Sequence, residues 1–137
     1  MKATLIYKTH FNAAYRLYNP FWEVEKNKKI FGNSTPESAA FHGHNYDLEI
    51  HLHGEVEIDT GNVIDKKILA SLVKEHIEKR YDHRNLYEDV ADFKDTVPTA
   101  EMIAFQVWKI LRPLIAQNIS IKVIIQESSQ IGGSFEG

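Results

Sequence analysis

The chain has no cysteine among its 137 residues, which excludes disulfides, thiolate metal sites and cysteine nucleophiles together. It has no basic excess either: 16 Lys and Arg against 19 Asp and Glu give a formal net charge of −3. Nucleic-acid binding needs a basic stripe, so no nucleic-acid partner is expected. No apolar run reaches the length of a membrane span, and residues 1–20 lack the charged-then-apolar layout of a secretory leader. A cytoplasmic protein without membrane contact is the expectation. With 43% of residues apolar and 26% charged, the chain suits one domain spanning 1–137, with room for a single core and not two.

Against these absences stand seven histidines, unevenly placed. His42 and His44 flank Gly43, His51 and His53 follow, and His83 comes directly after Asp82. Histidine serves both metal ligation and proton transfer near neutral pH, so their positions on the elements matter.

Residues 3–15 alternate as a strand, with Leu5, Tyr7, Thr9, Phe11, Ala13 and Tyr15 on one face. Arg16 to Phe41 carries Asn19-Pro20, Gly32-Asn33, Thr35-Pro36 and the charged run Glu23 to Lys29, and reads as a long loop. A second strand is predicted from His42 to Ile58. Its apolar face holds His42, His44, Tyr46, Leu48, Ile50 and Leu52, and its wetter face His51 and His53. Asp59-Thr60-Gly61-Asn62 is turn chemistry. Asp65 is a candidate cap for a helix from Lys66 to Arg80, with Ile68, Leu69, Leu72, Val73 and Ile77 as its stripe. After an irregular acidic stretch, Pro98-Thr99 opens a second helix carrying Ile103, Val107, Leu111 and Leu114. Ile119 to Gln126 is a short strand before a Ser/Gly-rich tail. The order β, β, α, α, β predicts an α+β domain with antiparallel strands.

His42-Gly43-His44 is the strongest local signal. Residues two apart on a strand project to the same side, so both imidazoles can reach one ion. A zinc site needs at least a third protein ligand; by phase it comes from the row Phe11, Ala13, Tyr15, because His10 points away. The alternative is a pair of core histidines hydrogen-bonded to backbone.

Phe11-Asn12-Ala13-Ala14-Tyr15-Arg16-Leu17 and His42-Gly43-His44-Asn45-Tyr46 resemble motifs of the 6-pyruvoyltetrahydropterin synthase / 6-carboxytetrahydropterin synthase family. So do Thr60-Gly61-Asn62-Val63-Ile64-Asp65, Tyr81-Asp82-His83-Arg84-Asn85-Leu86, Pro98-Thr99-Ala100-Glu101 and Gln126-Glu127-Ser128. Six motifs in the family's order span nearly the whole chain. The resemblance implies a tunnelling fold, an antiparallel sheet with two helices packed on one face. Its subunits form a barrel as trimers stacked into hexamers, with sites between subunits. It implies a lyase, of carbon–oxygen or carbon–carbon type, acting on 7,8-dihydroneopterin triphosphate or a related reduced pterin by metal-assisted proton transfer. The alternative is an impaired homologue that binds a pterin or purine, or serves only as an oligomeric binding protein.

The resemblance also assigns residues. Zinc is held in the family by three histidines; two correspond to His42 and His44, and the third falls on Tyr15. A phenol starts near pKa ~10 and must lose its proton to ligate well, so zinc is expected to be weak or absent. The family's catalytic cysteine has no counterpart. Ser34 takes its place counting from Phe31-Gly32, and Glu37 counting back from His42. A carboxylate can serve as a general base, and some family members use glutamate there, so Glu37 is the candidate beside Asp82 and His83. The bland reading makes Ser34 to Ala40 a loop with a stray carboxylate. Glu127 matches the family's pterin anchor, able to accept two hydrogen bonds from an aminopyrimidine edge. Thr99 and Glu101 either help close that pocket or belong only to their helix's first turn, where acidic residues are favoured.

Overall fold

The computed structural model describes residues 1–32 and 42–137, with His42 described by its backbone alone. Two long strands organise it, β1 (Lys2–Tyr15) and β2 (His42–Glu55), antiparallel along their full length, with Phe11 facing Tyr46, Ala13 facing His44 and Tyr15 facing His42. β4 (Ser120–Gln126) pairs with β2, and β5 (Gly132–Glu136) with β4; a two-residue strand, β3 (Arg84–Asn85), joins the far side of β1 in parallel. The sheet order is β3-β1-β2-β4-β5.

The predicted alternation sets the faces. Phe11, Ala13 and Tyr15 with Tyr46, Leu48, Ile50 and Leu52 are buried, while Thr4, Ile6, Lys8, His10 and Asn12 are exposed on the opposite face. Helices α2 (Lys66–Val73) and α4 (Ala100–Leu111) lay Leu69, Val73, Ile103, Val107 and Leu111 into the same core. Each such side chain contributes about 1.5–3 kcal/mol relative to leaving it in water. Both start where their caps predict: the Asp65 carboxylate accepts the Lys67 and Ile68 N–H groups at 2.8 and 3.4 Å, and the Thr99 hydroxyl accepts the Met102 N–H at 3.3 Å. After α2 the helix widens into a π turn (Lys74–Glu78) and ends in α3 (Lys79–Tyr81). Glu78, on that turn, accepts a short hydrogen bond from the Thr9 hydroxyl of β1.

Five expectations need correction. The loop from Arg16 to Phe41 contains a helix, α1 (Val24–Phe31). Its charged run hides a dipole-matched pattern, Glu25 in the first turn and Lys28 and Lys29 in the last, closed by Gly32 at φ 79°. Buried Asn27 binds it back, accepting from Asn19 N–H at 2.8 Å and donating to the Asn19 carbonyl at 2.8 Å, while Trp22 stacks on Phe31 at 5.5 Å. Helices therefore number more than the two expected. β2 ends at Glu55, not Ile58: Glu57 pairs with Asn62 around the 58–61 turn, where Gly61 sits at φ 71° and Ile58 is left exposed. Ile68 is 56% exposed and leaves the stripe, which runs through Leu69, Val73 and Ile77. Leu114 is also exposed, because Pro113 ends α4 in a 3₁₀ turn. The tail forms β5. Its glycines permit a close approach: a Cβ on Gly133 would sit 2.6 Å from the Glu101 nitrogen at the start of α4. Phe135 then packs edge-on against Phe105 and Trp108, at 5.0 and 5.2 Å. Among the described residues no helix is long and apolar enough to cross a membrane.

Candidate functional site

The β1–β2 register gathers polar groups at one end of the sheet's helix-covered face. The Tyr15 ring lies 5.1 Å from that of His44 and 6.3 Å from that of Tyr46. β4 supplies the carboxylate: Asp47 faces Gln126 and Leu48 faces Ile125, and one further step of that register sets Glu127 beside Tyr46. Burial comes first in raising the Tyr15 phenol above its ordinary value, followed by the charge of Glu127 and a side-chain hydrogen bond to it. The Tyr46 phenol is pushed far higher by burial, with Glu127 and Tyr15 adding. The anionic phenol is disfavoured at both places by lost hydration and a neighbouring negative charge.

Asp82 and His83 sit where α3 hands the chain to β3. The Asp82 carboxylate accepts the Asn12 N–H at 2.9 Å, and the His83 N–H donates to the Asn12 carbonyl at 2.6 Å. The main chain of Asn12 thus clasps both residues. His83 adopts φ 58°, a left-handed conformation costing a non-glycine residue about 1–3 kcal/mol. Its imidazole is 81% exposed, with Nε2 3.6 Å from an Asp82 oxygen. Behind it, Asp92 accepts from Tyr81 Oη at 2.7 Å and Arg80 Nε at 2.6 Å, fixing the end of α3. A groove of about 640 Å³ runs between this wall and β2, touching His44, Gly43, Asn45, His83 and Arg84.

His44, Tyr15 and Glu127 therefore meet, and His83 shares the groove with His44. Thr99 spends its hydroxyl on the helix cap, Glu101 is exposed on the first turn of α4, and no hydrogen bond or ion pair joins either to Glu127 among the described residues. Glu37 and Ser34 lie outside the described residues, as does the side chain of His42. His51 and His53 face the other way, His51 against Glu49 at 3.2 Å and His53 against Thr4 at 2.9 Å.

Two features escape sequence reasoning. The Tyr46 hydroxyl is buried with no hydrogen-bond partner among the described residues, and the Asn12 main chain is the seat of Asp82 and His83. Tyr46 is legible as an apolar-face position, but an orphaned hydroxyl has no sequence signature. Of the three positions the resemblance assigns to zinc, His44 is placed beside Tyr15, whose phenol resists ionisation, while the His42 side chain lies outside the described residues.

A mostly antiparallel sheet, helices packed on one face, and acid, imidazole and phenol groups converging at the strand ends define an α+β protein with its site at one end of the sheet. The family model for 6-pyruvoyl tetrahydropterin synthase matches residues 4–137. Human 6-pyruvoyl tetrahydrobiopterin synthase is 36% identical over 118 residues, covering 86% of this chain and 80% of that protein. A solved structure of Caenorhabditis elegans 6-pyruvoyl tetrahydropterin synthase superposes with a TM-score of 0.88 at 31% identity, covering 100% of this chain and 96% of that one. A dihydroneopterin monophosphate aldolase from Pyrococcus furiosus is 28% identical, covering 99% of both. The chain belongs to the 6-pyruvoyl tetrahydropterin synthase family.

Proposed function

We propose that the protein is a lyase of carbon–oxygen or carbon–carbon type acting on a reduced pterin, 7,8-dihydroneopterin triphosphate or a close relative. The observation that carries this is the position of Glu127, leaving β4 beside Tyr15 and Tyr46 at the strand ends. There its carboxylate accepts two hydrogen bonds from an aminopyrimidine edge, a two-point contact that selects that ring. Asp82 orients the His83 imidazole, which moves a proton on the substrate's hydroxylated side chain, and Glu37 serves as its partner base.

The protein works as a homo-oligomer built from trimers, a hexamer. In support, β1 meets β3 only at Ala13 and Ala14 and the Asp82–His83 corner only at Asn12, so the strand before Asn12 presents a free edge among the described residues, a liability that subunit pairing removes. A monodisperse monomer in light scattering at micromolar concentration would sink this.

One observation favours a second reading, a pterin- or purine-binding oligomer without turnover: the phenol at the third ligand position is harder to ionise than an ordinary one. Incubation with 7,8-dihydroneopterin triphosphate separates the two. Released tripolyphosphate marks carbon–oxygen elimination, a two-carbon fragment marks carbon–carbon cleavage, and loss of either in His83→Ala supports the lyase. Binding without products supports the second reading, and neither binding nor products refutes both.

A further inference from the structure

The groove beside β3 holds a guanidinium that the fold does not use. Arg84 pairs with Ala13 through its backbone, its side chain is exposed, and it makes no side-chain hydrogen bond or ion pair among the described residues. The neighbouring arginine is engaged: Arg16 reaches Glu88 at 3.3 Å and lies 4.5 Å over the Tyr87 ring.

Around Arg84 stand amide and imidazole groups and one carboxylate, Asp89. The Asn85 side-chain oxygen accepts the Tyr87 and Glu88 N–H groups at 3.0 and 3.2 Å, which leaves its NH₂ to donate elsewhere. Asp89, the carboxylate lining the groove, accepts the Asn85 N–H at 3.0 Å. On the β2 side a Cβ on Gly43 would meet nothing within 4 Å among the described residues, which leave the groove open there. His83 adds an exposed imidazole. A planar guanidinium fork with amide and imidazole N–H groups around an open groove matches a tetrahedral oxyanion, which a guanidinium grips through two parallel hydrogen bonds.

We propose that Arg84 is the phosphate-recognition residue of this groove, holding the phosphate end of a phosphorylated pterin and so selecting phosphorylated over free pterins. This rests on the pterin reading above. The same chemistry would hold a free polyphosphate, so the test carries three probes on the full chain by calorimetry: neopterin triphosphate (oxidised and unreactive), neopterin, and inorganic tripolyphosphate. Arg84→Ala is expected to weaken neopterin triphosphate and tripolyphosphate by about 10- to 100-fold, the range of a charge-assisted pair, and to leave neopterin unchanged. Arg84→Lys recovers part of the loss, because the charge returns without the fork.

The proposal is overturned if Arg84→Ala binds neopterin triphosphate as the wild type does, or loses neopterin equally. It is also overturned if the wild type holds neopterin triphosphate no tighter than neopterin, a result that leaves the pterin reading standing. Tripolyphosphate bound in an Arg84-dependent way with no affinity for either pterin overturns the pterin reading and, with it, the identity of the ligand proposed here. Arg84 is exposed, so its variants are expected to fold, and matching melting curves check this.

Discussion

Replacing Tyr15 with histidine changes one ligating atom in a position the sheet already fixes. Tyr15 faces His42 across the β1–β2 pair, and its ring is 5.1 Å from that of His44. An ordinary phenol at pH 7 lies roughly three pK units from ionisation, a cost of about 4 kcal/mol. Burial and Glu127 raise that cost here. An imidazole titrates near pH ~6.5 and is mostly neutral at pH 7, so its proton costs almost nothing to remove. Metal charge offsets part of the phenol's penalty, so Tyr15→His is expected to tighten zinc by about 100- to 1000-fold, the equivalent of roughly 3–4 kcal/mol. Competition against a chromophoric chelator at pH 7 measures the gain, with metal content after dialysis against EDTA as the second readout. Tyr15→Phe keeps the ring and is expected to bind as weakly as the wild type. Zinc held by the wild type through EDTA dialysis, with no gain in Tyr15→His, would refute the reasoning.

Tyr46→Phe removes a buried hydroxyl that has no partner among the described residues, so calorimetric melting is expected to show no loss and a gain of up to about 1–2 kcal/mol; a loss above that size would mean the hydroxyl has a partner. In alkali, the tyrosinate absorbance of Tyr46 and Tyr81 should rise only with unfolding. Burial leads in raising both, so the stability they confer is present below pH ~10 and is lost as pH climbs towards their folded values. Tyrosinate formation on an intact fold, assigned by single Tyr→Phe variants, would contradict this. Asp92 is held below the usual carboxylate range: burial pushes it up, but hydrogen bonds from Arg80 and Tyr81 outweigh that. Its contribution is therefore present above pH ~4 and lost as pH falls through the lower folded value. Asp92→Asn should cost about 1–3 kcal/mol at pH 7 and flatten the acid limb of the stability curve; an unchanged acid limb would count against the clasp.

What was legible in the sequence is what alternation and capping control. Phases of 2 on β1 and β2 placed Phe11, Ala13, Tyr15, His44 and Tyr46 on one face and His51 and His53 on the other, and Asp65 and Thr99 marked their helix starts. The elements that escaped are held by contacts distant in sequence or by backbone. α1 is anchored by Asn27 reaching back to Asn19, inside a stretch whose charges and prolines read as loop. β5 exists because Gly133 lets a short strand press on the α4 terminus and Phe135 finds Trp108, neither of which composition reveals. At the candidate site, motif order singled out Glu127 and His83 as candidates, but it could not show that the Tyr15 phenol would turn to the Glu127 carboxylate. Nor could it show that one residue's main chain, at Asn12, would seat both Asp82 and His83.

Pterin recognition by this protein stands or falls on Glu127. Titrating neopterin into the wild type and Glu127→Gln by calorimetry asks whether that carboxylate anchors an aminopyrimidine edge, since the amide turns one acceptor into a donor facing a donor. Binding to the wild type with a loss of about 2–3 kcal/mol in the variant, roughly 30- to 150-fold, is the predicted result. Equal affinities, or no binding to either protein, would contradict it.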